Sequence, residues 1–166
     1  MTGAGWPIRR AVPGDAPGIA AHRAQMFTDM GDLTREAAQA QLGLWADWLA
    51  GAIEKGEYVG FVAEQSGQPL GSAGLMFHPK PPTTEDPATL RAYVLNVYVA
   101  PEGRRQGLAE ALMRAVLTEV ETRGLRTVTL HASAQGRSIY ERLGFTEAPH
   151  PELRLILGNP ATETRA

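Results

Sequence analysis

The sequence predicts one α/β domain, with a mixed, twisted sheet of six or seven strands and helices on both faces. Segments with a two-residue hydrophobic period alternate along the chain with segments of helical period. Residues 93–131 read as strand, helix and strand with one crossover, which requires a parallel pair inside the sheet. The 166 residues suffice for one core but not comfortably for two. We therefore assign residues 7–158 to one domain and 159–166 to a loose C-terminal tail.

The first third of the chain predicts a short strand and two helices. Residues 8–11 are a strand candidate that stops at the turn sequence VPGD. Asp15 is expected to cap the first helix, which ends at Gly31, and Thr34 to cap the second. The apolar residues that recur at helical spacing are Ile19, Met26, Phe27 and Met30 in the first helix, and Ala38, Leu42, Trp45, Leu49 and Ile53 in the second.

After Gly56 the hydrophobic period changes to two. Residues 57–65 and 70–78 predict a hairpin, and the proline-rich segment 79–87 is long enough to be a candidate functional loop. Residues 91–100 are the most strand-like run, followed by a helix from 107 to about 123 that ends at Gly124. Residues 126–131 predict a further strand, Ser133 a cap for a short helix through Leu143, and residues 153–157 (LRLIL) a last strand.

Composition excludes several classes of function. The net charge of −2 gives no reason to expect a nucleic-acid partner, and the lack of cysteine excludes disulfides, thiolate metal sites and cysteine nucleophiles. His22, His78 and His150 are scattered without metal-ligand spacing, so we expect no metal. No signal peptide or membrane span is evident, which favours a cytoplasmic protein without membrane contact.

The turn that joins the strand at 91–100 to the following helix has the chemistry of an anion site. A helix start presents backbone N–H groups without intrahelical partners, and Gly107 lets a ligand approach them. Arg104 and Arg105 add two guanidinium groups, whose forked donors suit phosphate oxygens. The strings of a P-loop and of a dinucleotide fingerprint are both absent from the chain. The alternative is that the arginines are a solvated pair and that Gly107 only begins a helix.

The segment RRQGLA matches the R/Q-x-x-G-x-G/A signature of the GNAT superfamily of acyl-CoA-dependent N-acetyltransferases, with Arg104, Gly107 and Ala109 in the defined places. Residues 93–113 resemble the family's fourth strand, loop and third helix. The segment SIYERLGF resembles its closing helix and strand, and residues 8–23 its first strand and helix. The resemblance spans about residues 7–157 and implies a GNAT-like fold with acetyl-CoA as cosubstrate.

The resemblance also implies roles for individual residues. The backbone of the fourth strand would pair with the pantetheine arm like an added strand. Tyr140 would protonate the leaving sulfur of CoA. Ser133 stands where the family often has an asparagine that contacts the cofactor. The expected cofactor-binding residues are Val97, Tyr98 and Val99 for pantetheine, and Arg104, Arg105, Gln106, Gly107, Leu108 and Ala109 for the pyrophosphate.

The acceptor side is less determined by sequence. His131 ends a strand near the expected cleft and is the candidate base; the alternative is a polar surface or acceptor-binding residue. Glu152, which precedes the last predicted strand, either reaches the acceptor or is plain surface charge. Asn96, in mid-strand, either orients the acceptor or makes a structural hydrogen bond. Met26 and Phe27, with Trp45 and Trp48, either line the acceptor site or belong to the core. We expect Met26, Phe27 and Asn96 to border one cavity, with His131 at its rim.

We therefore expect transfer of acetyl from acetyl-CoA to a primary amine by direct attack in a ternary complex, because no cysteine can carry an acyl intermediate. One alternative is an acyl-CoA-binding regulatory module without turnover, which would not need Tyr140. Another is a structural domain that binds nothing, which would not need the loop from Arg104 to Ala109. The acceptor, a small molecule or a peptide, is not determined, and neither is the oligomeric state, although homodimers are the commonest assembly.

Overall fold

The computed structural model describes residues 5–158, so the predicted tail at 159–166 lies outside the described part of the chain. Five strands, four α-helices and two short 3-10 turns at 13–15 and 101–103 follow one another. The strands are β1 (Ile8–Arg10), β2 (Tyr58–Gln65), β3 (Gln68–Pro79), β4 (Leu90–Val99) and β5 (Val128–Leu130). The helices are α1 (Ala16–Met30), α2 (Arg35–Glu54), α3 (Leu108–Thr122) and α4 (Arg137–Arg142).

The strands form one sheet in the order β1-β2-β3-β4-β5. The first three pairings are antiparallel, and β4 pairs with β5 in parallel, as the single crossover predicts. The α/β class is confirmed, but the described residues contain five strands rather than six or seven. The predicted last strand at 153–157 is wrong: the segment pairs with no strand, and Leu153 is 94% exposed. Its alternating leucines suit a strand only where an edge is available to pair with them.

The helix boundaries follow local chemistry with one exception. The Thr34 hydroxyl accepts a hydrogen bond from the Ala37 N–H at 3.1 Å and so caps α2, as expected. Gly31 ends α1 in the left-handed conformation. Asp15 does not cap α1. Its carboxylate instead accepts a hydrogen bond from the Val12 N–H at 2.8 Å and pairs with Arg9 at 2.7 Å, which braces the turn before the helix.

Helices cover both faces of the sheet, as predicted. The apolar side of α3 packs on one face against strands β2, β3 and β4, with Leu112, Met113 and Val116 fully buried. On the other face α1 and α2 enclose a second cluster around Ile19, Leu49 and Tyr58. The sheet therefore separates two cores. A ligand site can open between the layers only where neighbouring strands part.

An ion pair and hydrogen bonds hold the proline-rich loop between β3 and β4 in place. Asp86 is 4% exposed and pairs with the guanidinium of Arg91, which is 3% exposed, at 3.4 Å. Its carboxylate also accepts hydrogen bonds from the Thr127 hydroxyl and from the Ala88 N–H. The Thr127 and Ala88 donors hold the pKa of Asp86 below its usual range. The loop that the sequence marked as functional thus anchors β4 to the segment before β5.

This anchor predicts a pH dependence of stability. The folded state binds the Asp86 proton less tightly than the unfolded chain does, so the stabilisation is present above the unfolded pKa of about 4 and is lost as the pH falls through the lower folded pKa. We expect Asp86→Asn to lower the Tm at pH 7. The difference in Tm between the variant and the wild type should become smaller towards pH 3. Thermal unfolding across this range checks it, with the exposed Asp47→Asn as control. A gap that widens on acidification would contradict it.

Candidate active site

A bulge in the middle of β4 sets the geometry of the candidate site. Ser72 of β3 is opposite Tyr98, and Gly74 is opposite Leu95, so β4 carries one extra residue between these pairs. Asn96 adopts a left-handed backbone conformation with φ of 54°. Asparagine tolerates this conformation better than most residues. The bulge bends β4 away from a regular path, starting at the residue that the sequence singled out.

Beyond this point no described residue pairs with β4 on its β5 side. The parallel pairing ends at Val94 opposite Leu130, whereas β4 continues to Val99. Val97, Tyr98 and Val99 therefore form an edge that is open towards the carboxyl end of β5. The Val99 carbonyl accepts a hydrogen bond from Arg104 Nε at 3.0 Å. An extended ligand could add to this edge by strand-like pairing.

The loop after β4 presents a cluster of free backbone donors. Arg105 and Gly107 adopt left-handed conformations, with φ of 60° and 76°. Within the described chain, the backbone N–H groups of residues 105–110 donate to no protein acceptor, and the first bond of the α3 ladder runs from Ala111 to the Gly107 carbonyl at 3.0 Å. Consecutive N–H groups in such a turn, at the positive end of a helix, form an anion-binding concavity. The residues present therefore fit a pyrophosphate.

The two loop arginines play different parts. Arg104 Nη2 pairs with Asp29 on α1 at 2.7 Å, and it also lies 3.4 Å from the Tyr98 hydroxyl. Arg105 is exposed and makes no ion pair or side-chain hydrogen bond with another described residue. Arg104 is thus engaged in holding the loop against α1. Arg105 is the arginine whose charge remains available to an anion.

The remaining members of the predicted cofactor loop support its shape. The Gln106 amide donates to the Glu102 carbonyl at 2.8 Å, and the Gln106 carbonyl accepts from the Trp6 indole at 2.9 Å. Leu108 is buried in the core beneath the loop. Ala109 follows it in the first turn of α3, whose N–H groups are unpaired. These contacts fix the backbone that carries the donors.

Tyr140 lies on α4, in the part of the chain that leaves the carboxyl end of β5. Its ring packs against Phe145 at 6.0 Å between centroids, and its hydroxyl makes no hydrogen bond with another described residue. Burial raises the pKa of the Tyr140 phenol, which therefore holds its proton at neutral pH. The Ser133 hydroxyl accepts a hydrogen bond from the Gly136 N–H at 3.2 Å and so starts the turn into α4. The helix itself is shorter than the 133–143 expected.

A cavity of about 360 Å³ opens on the α1–α2 side of the bulge. Asn96 lines it, but Met26 and Phe27, which we expected at its border, do not. Phe27 instead packs against Trp45, which does line the cavity, at 5.9 Å between ring centroids. The lining residues are Arg23, Leu44, Trp45, Trp48, Leu49, Leu95 and Asn96.

Arg23 is the residue that sequence reasoning missed. Its Nη1 donates to Asn96 Oδ1 at 2.5 Å, and its guanidinium lies 4.7 Å from the Phe27 ring centre. Asn96 Nδ2 in turn donates to the Tyr58 hydroxyl at 3.2 Å, where burial raises the phenol pKa to about 12. A signal existed in the sequence: Arg23 falls four residues from both Ile19 and Phe27, which puts a charge on an apolar helix face.

His131 lies on the same side of the sheet as this cavity. Its Nδ1 is 2.8 Å from the Tyr93 hydroxyl, and its Nε2 is 3.6 Å from the Glu152 carboxylate. Tyr93 precedes Leu95 by two residues on β4, so both side chains share a face. His131 and Glu152, which the sequence offered as two separate candidates on the acceptor side, are therefore neighbours. They belong to one series of contacts that begins at Tyr93.

Residues 5–158 contain neither a metal-binding cluster nor a membrane-spanning helix. No group of three or more histidine, cysteine, aspartate or glutamate side chains there could hold a metal ion. No helix in that range is long and apolar enough to cross a membrane.

The pattern of the Acetyltransferase (GNAT) domain matches residues 30–154. The chain is 32% identical to a GCN5-related N-acetyltransferase structure from Ralstonia eutropha JMP134, with a TM-score of 0.81 over 91% of this chain and 99% of that one. An acetyltransferase structure from Clostridium acetobutylicum with acetyl-CoA shares the fold at 22% identity and a TM-score of 0.78, over 89% and 95% of the two chains.

A curated relative, the [ribosomal protein bS18]-alanine N-acetyltransferase of Escherichia coli (strain K12), is 40% identical over 60 residues, which make up 34% of this chain. The match spans 40% of the relative's length. The family pattern covers most of the chain, including the bulge, the open β4 edge and the loop of free amides. The chain belongs to the GNAT acetyltransferase family.

Proposed function

We propose that the protein transfers the acetyl group of acetyl-CoA to a primary amine. The observation that carries the proposal is the run of free N–H groups at residues 105–110, placed directly after an open strand edge. Pyrophosphate suits the first feature and the amide-bearing pantetheine arm suits the second, so one elongated ligand can satisfy both.

Acetyl-CoA supplies an acetyl group activated as a thioester. The amine nitrogen forms a bond to the carbonyl carbon, the carbon–sulfur bond breaks, the nitrogen loses one proton and the sulfur gains one. Backbone N–H groups at the bulge of β4 can donate to the carbonyl oxygen as negative charge develops on it. Holding the amine and the thioester together at this point supplies several further kcal/mol, part of the roughly 7–11 available to ideal positioning.

The two proton transfers fall to different residues. Tyr140 holds a phenolic proton at neutral pH and donates it to the leaving sulfur. His131 accepts the amine proton, directly or through Tyr93, whose hydroxyl lies against the imidazole. The Glu152 carboxylate stabilises the imidazolium that results. The reaction passes through a ternary complex, because the chain has no cysteine to carry the acetyl group.

A regulatory module that binds acyl-CoA without turnover is the second candidate. The free-donor loop would serve it equally well. Two observations favour the enzyme: the Tyr140 phenol carries a proton but no protein partner, and the cavity next to Asn96 offers room for an acceptor. A binding module needs neither an acid nor an acceptor pocket.

The loop predicts a specific loss of affinity. We expect Arg105→Ala to weaken acetyl-CoA binding by about 1–3 kcal/mol, the scale of a hydrogen bond to a charged group. Alanine also has a Cβ atom, so the strain of the left-handed backbone at residue 105 is the same with either side chain. The substitution therefore tests the loss of the guanidinium. Titration calorimetry measures the change. The matched control is Arg114→Ala on the exposed side of α3, which should leave the affinity as it is.

The proposed activity is tested by mixing the protein with acetyl-CoA and a panel of amines and following thiol release. Acceptor-dependent release, with the product heavier than the amine by one acetyl group, supports the enzyme. Tight acetyl-CoA binding without release for any amine, protein N-terminal peptides included, would support the binding module instead. The curated relative acts on an alanine of a ribosomal protein, so an alanine-terminated peptide belongs in the panel. We place the activity in the cytoplasm, with a homodimer as the assembly to test first.

A further inference from the structure

The cavity beside Asn96 contains a cation without an anionic partner. Arg23 lies against two neighbouring aromatic rings, with its guanidinium carbon 4.7 Å from the centre of Phe27 and 5.0 Å from that of Trp45. Across the described residues, no carboxylate comes within 4.0 Å of it. Nearly all of the other arginines that form ion pairs do so at the surface; Arg23 is half-buried in an apolar site, which lowers its pKa.

A guanidinium has five donors, and the protein uses one of them here. The 2.5 Å bond to Asn96 Oδ1 fixes the group at Nη1, and Asn96 is itself held by Tyr58. The rings attract the cation but accept no strong hydrogen bond. A planar carboxylate would satisfy the remaining donors with the bidentate geometry that arginine prefers and would offset the cost of desolvating the charge.

The other residues that line the cavity favour a ligand with an apolar body. Five of its seven lining residues are leucine or tryptophan, and the polar members are Arg23 and Asn96 alone. Trp48 and Leu44 remain 50% and 67% exposed at its mouth. A volume of about 360 Å³ lies near the lower end of the roughly 300–1,000 Å³ usual for small-ligand sites, so it suits a molecule of amino-acid size.

The position of Arg23 limits the distance between the acid and the amine of the acceptor. The guanidinium bonds to Asn96, and the open edge that would hold the thioester begins one residue later, at Val97. An acceptor whose amine attacks the thioester at this edge while its carboxylate binds Arg23 must have the two groups only a few bonds apart. α-Amino acids meet this condition, whereas a diamine has no carboxylate and the side-chain amine of a lysine residue has none within a few bonds.

We infer that the acceptor of this enzyme is a free α-amino acid with a large apolar or aromatic side chain, whose carboxylate binds Arg23 while its side chain enters the Leu44–Trp45–Trp48 pocket. This inference rests on the proposed acetyl transfer. Arg23 is a specificity residue in this account and takes no part in the proton transfers.

The test compares L-phenylalanine with phenethylamine, which has the same body and amine but no carboxylate. With the wild-type enzyme and acetyl-CoA, we expect kcat/KM for phenylalanine to exceed that for phenethylamine at least ~100-fold, the discrimination typical of a site whose buried polar group is left unpaired by the wrong substrate. Arg23→Met keeps the length and packing of the side chain and should bring the ratio close to one. Arg114→Met, an exposed arginine paired with Glu110, should leave the ratio as in the wild type.

The possible outcomes separate a failure of the inferred acceptor from a failure of the proposed acetyl transfer. Equal rates for phenylalanine and phenethylamine with the wild type, or preferred turnover of glucosamine 6-phosphate or of an alanine-terminated peptide, would overturn the inference and leave the acetyltransferase intact. No thiol release with any amine would overturn the proposed function itself. If Arg23→Met does not fold, the wild-type comparison of the two amines still decides.

Discussion

Gly107→Val is expected to abolish acetyl-CoA binding, with an affinity loss of at least ~100-fold. Gly107 has φ of 76°, a conformation that costs an L-residue about 1–2 kcal/mol and a β-branched one more. No protein atom lies within 4 Å of the position of an added Cβ. The protein itself therefore has space for the side chain. We expect affinity to fall because the strained backbone would turn its N–H groups away and because the valine side chain would clash with the ligand. Titration calorimetry with acetyl-CoA measures the loss.

The chain offers a matched control for this substitution. Gly124, at the other end of α3, has φ of 69° and likewise has no atom within 4 Å of an added Cβ. Gly124→Val therefore carries a similar backbone strain, about 20 Å from the loop along a 15-residue helix. It should lower the Tm as Gly107→Val does but keep the affinity for acetyl-CoA. Equal affinity in both variants would show that the loop does not bind the cofactor.

Tyr140→Phe is expected to reduce kcat at least ~10²-fold with little change in acetyl-CoA affinity. A phenol of reference pKa about 10 must protonate a thiolate whose thiol has a pKa of about 8.5, a step uphill by about 2 kcal/mol, and burial raises the Tyr140 pKa further. The transfer therefore has to accompany carbon–sulfur cleavage, when the sulfur is more basic than a free thiolate. General acids contribute about 10²–10⁴-fold in such steps. Thiol release under saturating acetyl-CoA measures the loss.

Phenylalanine retains the ring, so the packing of Tyr140 against Phe145 survives the substitution. Phe145→Leu tests the converse: it disturbs the same aromatic contact and removes no proton donor. We expect a lower Tm and a kcat within a few-fold of the wild type for that variant. Near-full turnover of Tyr140→Phe on a good acceptor would assign the acid role to another group, such as water.

Much of the fold follows from local pattern. The period-two runs placed β2, β3 and β4, and the glycines at 31 and 124 marked the ends of α1 and α3, where the chain turns left-handed. The loop that we propose for the cofactor could be singled out from sequence because its chemistry is contiguous: the arginines, Gly107 and the helix start lie within a few residues. The parallel pair followed from a single crossover helix.

The acceptor side could not be predicted in the same way, because its contacts join distant parts of the chain. Arg23 meets Asn96 across 73 residues, and Tyr93 meets His131 across 38. An asparagine in mid-strand was the only local sign of the bulge. The prediction of a last strand was wrong for a related reason. Residues 153–157 alternate as a strand does, but alternation does not show whether a sheet edge is available to pair with them.

The central claim is that acetyl-CoA lies on the free amides after β4, and the backbone amide spectrum of the ¹⁵N-labelled protein tests it directly. On addition of acetyl-CoA, we expect the largest shifts at residues 105–110, with a second group at 97–99 and few changes on β1 or α2. The same titration of Gly107→Val should leave these signals in place. Saturable binding that moves the amides elsewhere and spares residues 105–110 would contradict the account.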